Sequence, residues 1–296
     1  MSSELLSLPT TEQVVAQMFA GIDVRPNTKY EYGKRIHHFL KYLETHQLSV
    51  NSLLEYKRHL AEADMAVATK NKYLTCARIF LRECYRHGLL MKDITVNVKN
   101  FEQSKKHKVD GLSETEAKQL CEWMRSSGTP RLNALLSLLL FQGFRQVEVC
   151  RLQIKDIDLA SGIIWVLGKG KDDKEKVYLH SYTAEALKQY LKAGELQPKD
   201  YLFTSSSRKS NSRCLTERGL RSIVLGVFDQ LGIEKNVHGL RHYFTTRLIQ
   251  HMPGELITVS RFTRHSSLEM LQVYNDSVMS REDVARYSVA FDGLIE

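Results

Sequence analysis

Between Lys99 and Gly111 the chain reads KNFEQSKKHKVDG, and nothing apolar recurs there at a spacing that faces a core. A polar, lysine-rich break of this kind reads as an interdomain linker. It constrains the rest of the chain, because each flanking segment must then bury a core of its own. The 296 residues, 43% apolar and 26% charged, suffice for two modest cores. The expected organisation is a helical domain over residues 1–98, a linker over 99–111, and a second domain over 112–296 that ends in a tail helix.

The first segment has helical periodicity throughout. Thr10 or Thr11 starts a short helix through Val14, Val15, Met18 and Phe19, which Gly21 ends. A longer helix begins at Thr28, with Tyr32, Ile36, Phe39, Leu40 and Leu43 along one stripe. Ser52 to Ala63 and Ala66 to His87 complete the set, and Gly88 stops the last helix. Lys29, Lys34, Arg35, Lys70, Lys72, Arg78, Arg82 and Arg86 are mixed with Tyr30 and Tyr73, and several of them lie opposite the apolar stripes. They suit either a solvated helix face or a module that straddles a duplex and touches phosphates. Lys105, Lys106 and Lys108 of the linker also suit a nucleic-acid backbone.

The second segment opens with Ser113-Glu114-Thr115-Glu116, an S-x-x-E capping box. A buried helix is expected from Leu132 to about Gly143. The period then changes: Ile163 to Leu167 and Val177 to Leu179 are β-rich and flank a Gly-Lys-rich turn, which predicts a small antiparallel sheet. From Thr183 the chain returns to helices, including Thr216 to Leu231. The fold class is therefore mainly α with a small antiparallel β-sheet.

The net charge of +8 and a pI near 9.1 point to nucleic acid or another polyanion. Residues 1–110 hold 17 Lys and Arg against 12 Asp and Glu, so the excess is not a basic tail. The five cysteines, Cys76, Cys84, Cys121, Cys150 and Cys214, are odd in number and form no paired metal-type spacing. Cys76 and Cys84 fall in a helical pattern and read as reduced core residues. The N-terminus MSSELLSLPTTEQ carries no basic-then-apolar leader. The run from Leu132 to Phe144 is too short to span a bilayer. A cytoplasmic protein is expected.

Several polar groups stand out in the second segment. Arg145 follows a very apolar helix, where a guanidinium is costly unless paired or functional, and Glu148 lies three residues on. Lys169 and Lys171 share the turn GKGKDDK. In HGLRHYF, a helix would place His238 and Arg241 on one face, one turn apart, with His242 elsewhere. An imidazole beside a guanidinium either cross-links a helix or converges on a phosphate. Arg264-His265-Ser266-Ser267 is followed by Tyr274, nine residues beyond the histidine.

The ordered set Arg145, Lys169, His238, Arg241, His265, Tyr274 resembles the catalytic set of the tyrosine recombinases, the family of phage integrases and Xer-type site-specific recombinases. GFRQVEVCRL resembles the family's box around its first arginine, and HGLRHYF its H-x-L-R-H motif. The resemblance covers residues 113–296; residues 1–98 match only in length, helicity and charge. It implies a two-domain clamp around DNA and a site-specific recombinase that joins Tyr274 to a 3′-phosphate without ATP, metal or other cofactor. Arg145 and Arg241 would clamp the phosphate, as paired fork-shaped cations suit a phosphorane. Tyr274 would attack, Lys169 would protonate the leaving 5′-oxygen, His238 would act as base or donor, and His265 would stabilise the phosphorane.

The implied partners are double-stranded DNA with inverted-repeat core sites, three further copies in a tetramer that exchanges the C-terminal helix beyond Ser280, and accessory DNA-bending proteins. Lys171 rivals Lys169 for the hairpin role, and His242 reads as structural. The family usually has leucine-glycine before the second histidine, where this chain has Thr263-Arg264. Arg264 is expected either to touch DNA or to pack differently. Val147 stands where a serine is more familiar. Two alternatives share the motifs: a DNA-binding regulator of the same fold without turnover, and a type IB-like topoisomerase.

Overall fold

The computed structural model describes residues 15, 19, 21–103, 111–168, 170–194, 200–205, 214–265 and 267–275, the last three of these through their backbone only. The chain separates into two compact units, Met1–Lys105 and Lys106–Glu296. Among the described residues no helix is long and apolar enough to cross a membrane.

In the first unit, three helices follow the apolar stripes: α1 (Pro26–Leu43), α2 (Ser52–Glu62) and α3 (Val67–Arg86). Pro26 at the first helical position starts α1 two residues ahead of Thr28, since its missing N–H is not needed there. Ile36, Phe39, Leu53, Tyr56, Leu60, Leu74, Phe80 and Leu81 form the core, with Cys76 and Cys84 buried among them as reduced thiols. The Tyr56 hydroxyl is not stranded in that core, for it lies 2.8 Å from His38 Nδ1. Gly88 adopts φ 73° just beyond α3, the left-handed conformation that ends a helix. Of the expected N-terminal helix only Val15 and Phe19 are among the described residues, and both pack on this core.

The second unit begins at α4 (Glu114–Ser126), where Ser113 and Glu116 form the reciprocal capping box. Its central element is α5 (Pro130–Leu140). All seven residues from Ala134 to Leu140 are buried, so the helix is covered on every side. Each leucine there contributes about 1.5–3 kcal/mol through removal from water. The helix stops at Leu140, short of the expected Gly143. A short α6 (Gln146–Arg151) and a single 3-10 turn (Ile154–Asp156) then lead into three antiparallel strands in the order β1 (Ile157–Asp158), β2 (Ile163–Leu167), β3 (Lys174–Tyr178).

Ile164 pairs with Val177 and Ile157, so the apolar side of the sheet faces the core, while Trp165 and Lys176 pair on the outer side. The second hairpin strand thus runs 174–178, earlier than the expected Val177 to Leu179. Lys174 and Lys176 belong to it because their side chains alternate outward. Beyond the sheet lie α7 (Ser181–Lys192), α8 (Glu217–Gln230), α9 (His238–His251), α10 (Leu256–Thr263) and α11 (Leu268–Asn275). Helix α7 packs on α5, α8 packs on α6, and α9 packs against α5, α10 and α11. These contacts bring the start of α6, the first turn of α9 and the end of α10 together.

Candidate active site

Gly143 sits at the centre of the cluster. Its φ of 57° is left-handed, and a Cβ there would lie 2.2 Å from the Phe244 ring, so only glycine fits. The turn it makes presents its carbonyl to Arg241 on the first turn of α9. Arg241 is 3% exposed. Its Nη1 donates to the Gly143 carbonyl and its Nη2 to the Thr263 carbonyl at the end of α10. A buried cation tied to two carbonyls is held rigidly, with little rotamer freedom left to lose when an anion binds.

His265 lies against it, Nε2 at 3.4 Å from Arg241 Nη2 and Nδ1 at 2.7 Å from Thr263 Oγ1. The Thr263 hydroxyl donates to the Val259 carbonyl at 2.9 Å. That leaves the Thr263 oxygen to accept, and the pattern assigns the proton of neutral His265 to Nδ1. Burial, followed by the charges of Arg241, Arg145, Arg264 and His238, pushes the His265 imidazole down to about 3. It is neutral at ordinary pH.

Arg145 caps the N-terminus of α6, where Glu148 reaches back to its backbone N–H at 2.9 Å. The same carboxylate accepts from Arg145 Nη1 at 2.8 Å, and Arg145 Nη2 donates to the Arg264 carbonyl at 3.3 Å. Burial alone would push the Glu148 carboxyl up. The charge of Arg264, with the N–H groups and charge of Arg145, outweighs burial and holds it below the usual range. Arg145, Arg241 and His265 are therefore gathered around Gly143 and Glu148.

Arg264 corrects an expectation. As a DNA contact it should lie on the surface, but its side chain is 4% exposed and pairs with Glu148 at 3.1 Å. The residue is left-handed, φ 55°, which turns its side chain inward over Phe144.

His238 opens α9, exposed, with its ring edge-on to His242 at 4.5 Å between centroids. Lys169 lies outside the described residues. Its rival Lys171 is exposed and pairs with Glu175 of its own hairpin. The backbone of Tyr274 belongs to α11, one short connection after His265, and its side chain lies outside the described residues. The tail expected beyond Ser280 is outside them as well. Among the described residues no group of three His, Cys, Asp or Glu is placed to hold a metal ion.

The basic residues of the first unit divide by what they already hold. Arg35 pairs with Glu31 at 2.9 Å. Lys70 donates to the Ala61 carbonyl at 2.7 Å, and Arg78 to the Val98 carbonyl at 2.8 Å and to Asn100 at 3.0 Å. Lys29 is half-buried, while Lys34 and Lys72 are exposed, with the Lys34 ammonium 4.3 Å from the Tyr30 ring centre. Lys105 and Lys106 lie outside the described residues. Two residues of the site were given no role from the sequence: Gly143, which acts through its carbonyl, and Thr263, noted only as a departure from leucine, which sets the His265 tautomer. Only their closeness to Arg145 and His265 marks them.

Comparison with known proteins places this geometry. The chain is 26% identical over 272 residues to the tyrosine recombinase XerD of Oceanobacillus iheyensis, covering 86% of this chain and 89% of the relative. With the XerC recombinase of Bacillus subtilis the identity is 30% over 231 residues, 67% of this chain and 74% of the relative. Among solved structures, the XerH site-specific recombinase bound to a palindromic difH substrate in a post-cleavage complex superposes with a TM-score of 0.72 at 23% identity, covering 96% of this chain and 84% of that one. The Tn1549 transposon integrase in complex with a circular intermediate DNA gives 0.70 at 15%, covering 94% and 98%. Both share the mainly α fold with its small antiparallel sheet. The model of the phage integrase family matches residues 111–281, more than half of the chain and the whole segment from Arg145 to Tyr274, so this protein is a member of that family, the tyrosine recombinases.

Proposed function

We propose that this protein, a site-specific DNA recombinase of the tyrosine type, cuts and rejoins duplex DNA with Tyr274 as the nucleophile. One observation carries the assignment of roles. Arg145, Arg241 and His265, distant in sequence, meet around one carbonyl and one carboxylate, immediately before the helix whose backbone includes Tyr274.

In this reading the two guanidinia hold the non-bridging oxygens of the scissile phosphate and oppose the charge that grows there during attack. The Tyr274 oxygen bonds to phosphorus as the bond to the 5′-oxygen breaks, leaving a 3′-phosphotyrosine and a 5′-hydroxyl. Lys169 supplies the proton to that oxygen. His238 takes up or hydrogen-bonds the phenol proton, and His265, once protonated at Nε2 beside the bound phosphate, stabilises the phosphorane. Reversal by a second strand's 5′-hydroxyl restores the tyrosine, so the bond energy is conserved. On this reading the protein works as a tetramer on paired inverted-repeat core sites, with its tail helix exchanged between copies and accessory proteins bending the DNA. Lys34, Lys72 and the linker lysines Lys105 and Lys106 follow the DNA backbone.

The test is a covalent-adduct assay with nicked duplexes from the gene's own flanks. Wild type should give a denaturation-resistant protein–DNA band that Tyr274→Phe lacks. Specific binding by both without a band under any nicking pattern would refute the nucleophile assignment and favour a regulator. Relaxation of plasmids lacking any special site would favour the topoisomerase. Sedimentation of the DNA complex after truncation at Ser280 checks the tail exchange, and an unchanged tetramer would sink it.

A further inference from the structure

Arg264 stands where simple physics argues against an arginine. Its φ of 55° is a conformation that a Cβ disfavours and glycine adopts freely. Its side chain is 4% exposed, and its Nε has no hydrogen-bond partner among the described residues. A glycine would remove the strain, the desolvated charge and the stranded nitrogen together.

What the arginine supplies is visible in its contacts. Nη2 donates to Glu148 Oε2 at 3.1 Å, and Nη1 donates to the carbonyls of Phe262 at 3.1 Å and Gln142 at 3.4 Å. The guanidinium lies 4.5 Å from the centre of the Phe144 ring. Its own carbonyl accepts from Arg145 Nη2 at 3.3 Å. The Glu148 side chain is wholly buried, whereas Arg145 is 27% exposed. A buried carboxylate with a single, partly solvated cation is prone to take up a proton, and a neutral carboxyl would release the Arg145 fork. Arg264 adds a fully desolvated second cation on the opposite oxygen.

We propose that Arg264 is a positioning residue for strand cleavage: it keeps Glu148 ionised, and through Glu148 and its own carbonyl it fixes the Arg145 fork toward the scissile phosphate. The inference rests on the assignment of Arg145 to the phosphate clamp. The charges facing Glu148 are Arg145 at the start of α6 and Arg264 beyond α10, with Arg241 of α9 and His265 next to them. Glu175 of β3 acts in turn on Arg264.

The experiment is single-turnover cleavage of a nicked duplex from about pH 5 to pH 9, by wild type and by Arg264→Gln, Arg264→Gly and Arg264→Lys, with the DNA affinity and melting of each. DNA affinity should stay within about twofold of wild type for all three. The Gln and Gly variants should cleave about tenfold or more slowly at neutral pH. Their acid limb should move to higher pH, because the carboxyl has lost the cation that keeps it ionised. Arg264→Lys should restore the wild-type limb. Adding Arg264→Gln to Glu148→Gln should cost less than about twofold more.

A glycine variant with wild-type rate and limb would overturn the proposal, since the arginine would then be merely tolerated. Equal losses of rate and affinity with the limb unmoved would overturn it in favour of a DNA contact. If the neutral variants fail to fold, Arg264→Lys carries the test: a wild-type limb supports the proposal, and a raised limb despite the retained charge refutes it. A wild type without a Tyr274-dependent adduct refutes the clamp assignment and this inference together. An adduct formed equally by all variants refutes this inference alone.

Discussion

Replacing Glu148 with glutamine removes one charge from the middle of the site and changes almost nothing in volume. Three donors converge on this carboxylate, Arg145 N at 2.9 Å, Arg145 Nη1 at 2.8 Å and Arg264 Nη2 at 3.1 Å. An amide keeps one acceptor and turns an NH2 group toward a guanidinium. Removing one partner of a buried ion pair costs about 3–5 kcal/mol. The Arg145 arm is 27% exposed and partly screened, and the amide oxygen keeps a hydrogen bond, so the low end applies. At about 3 kcal/mol, the second unit should melt about 6–12 °C lower at neutral pH, as followed by circular dichroism.

The pH dependence gives the sign. Because Glu148 is depressed when folded, its stabilisation is present above the ordinary value of 4.5 and is lost as the pH falls through the folded value. The variant's deficit should therefore shrink in acid. A melting temperature within about 1 °C of wild type at neutral pH, or a deficit that does not shrink in acid, would refute the reasoning.

Two further outcomes are expected. NMR titration should find His265 neutral down to about pH 4 in the free protein, with its contribution to stability lost as the pH falls from 6.5 toward about 3. A cleavage-site duplex should raise that pKa, since a phosphate opposes the arginine field, and an unshifted value on binding would contradict placement of the phosphate here. Gly143→Ala should destabilise the second unit by about 2–4 kcal/mol in urea unfolding, because its Cβ would meet the Phe244 ring at 2.2 Å in a left-handed turn. A loss below about 0.5 kcal/mol would mean that the turn relaxes without cost.

The legible parts of this molecule were those with local causes. Ser113 and Glu116 stand three residues apart and cap α4 as their spacing requires. The stripes of Ile36, Phe39 and Leu40 and of Leu220, Val224 and Phe228 are buried as their period demands. The strand β3 was read late because Lys174 and Lys176 look like turn residues until their partners Leu167 and Trp165 are known. Helix α6 is a single short segment between a cap and a 3-10 turn, too brief for a period to show. Arg264 was legible only as an open alternative, a DNA contact or a side chain that packs differently, and the sequence could not choose between them. Its partners Gln142, Gly143 and Glu148 lie 116 to 122 residues earlier, and nothing near it announces a left-handed backbone. The resemblance named residues of the site that spacing alone could not connect.

The two carbonyls that hold Arg241 come from points 98 residues before it and 22 residues after it. No fragment that stops short of α10 contains both, and neither half of the second unit alone can seat this guanidinium. Contacts closed over such separations form late relative to helix turns, because the chain entropy of the loop must be overcome first. During synthesis, Thr263 leaves the ribosome well after Gly143 and Arg241 have done so. A nascent or truncated chain with its first unit already folded but lacking Thr263 thus cannot yet seat the Arg241 guanidinium between its two carbonyls.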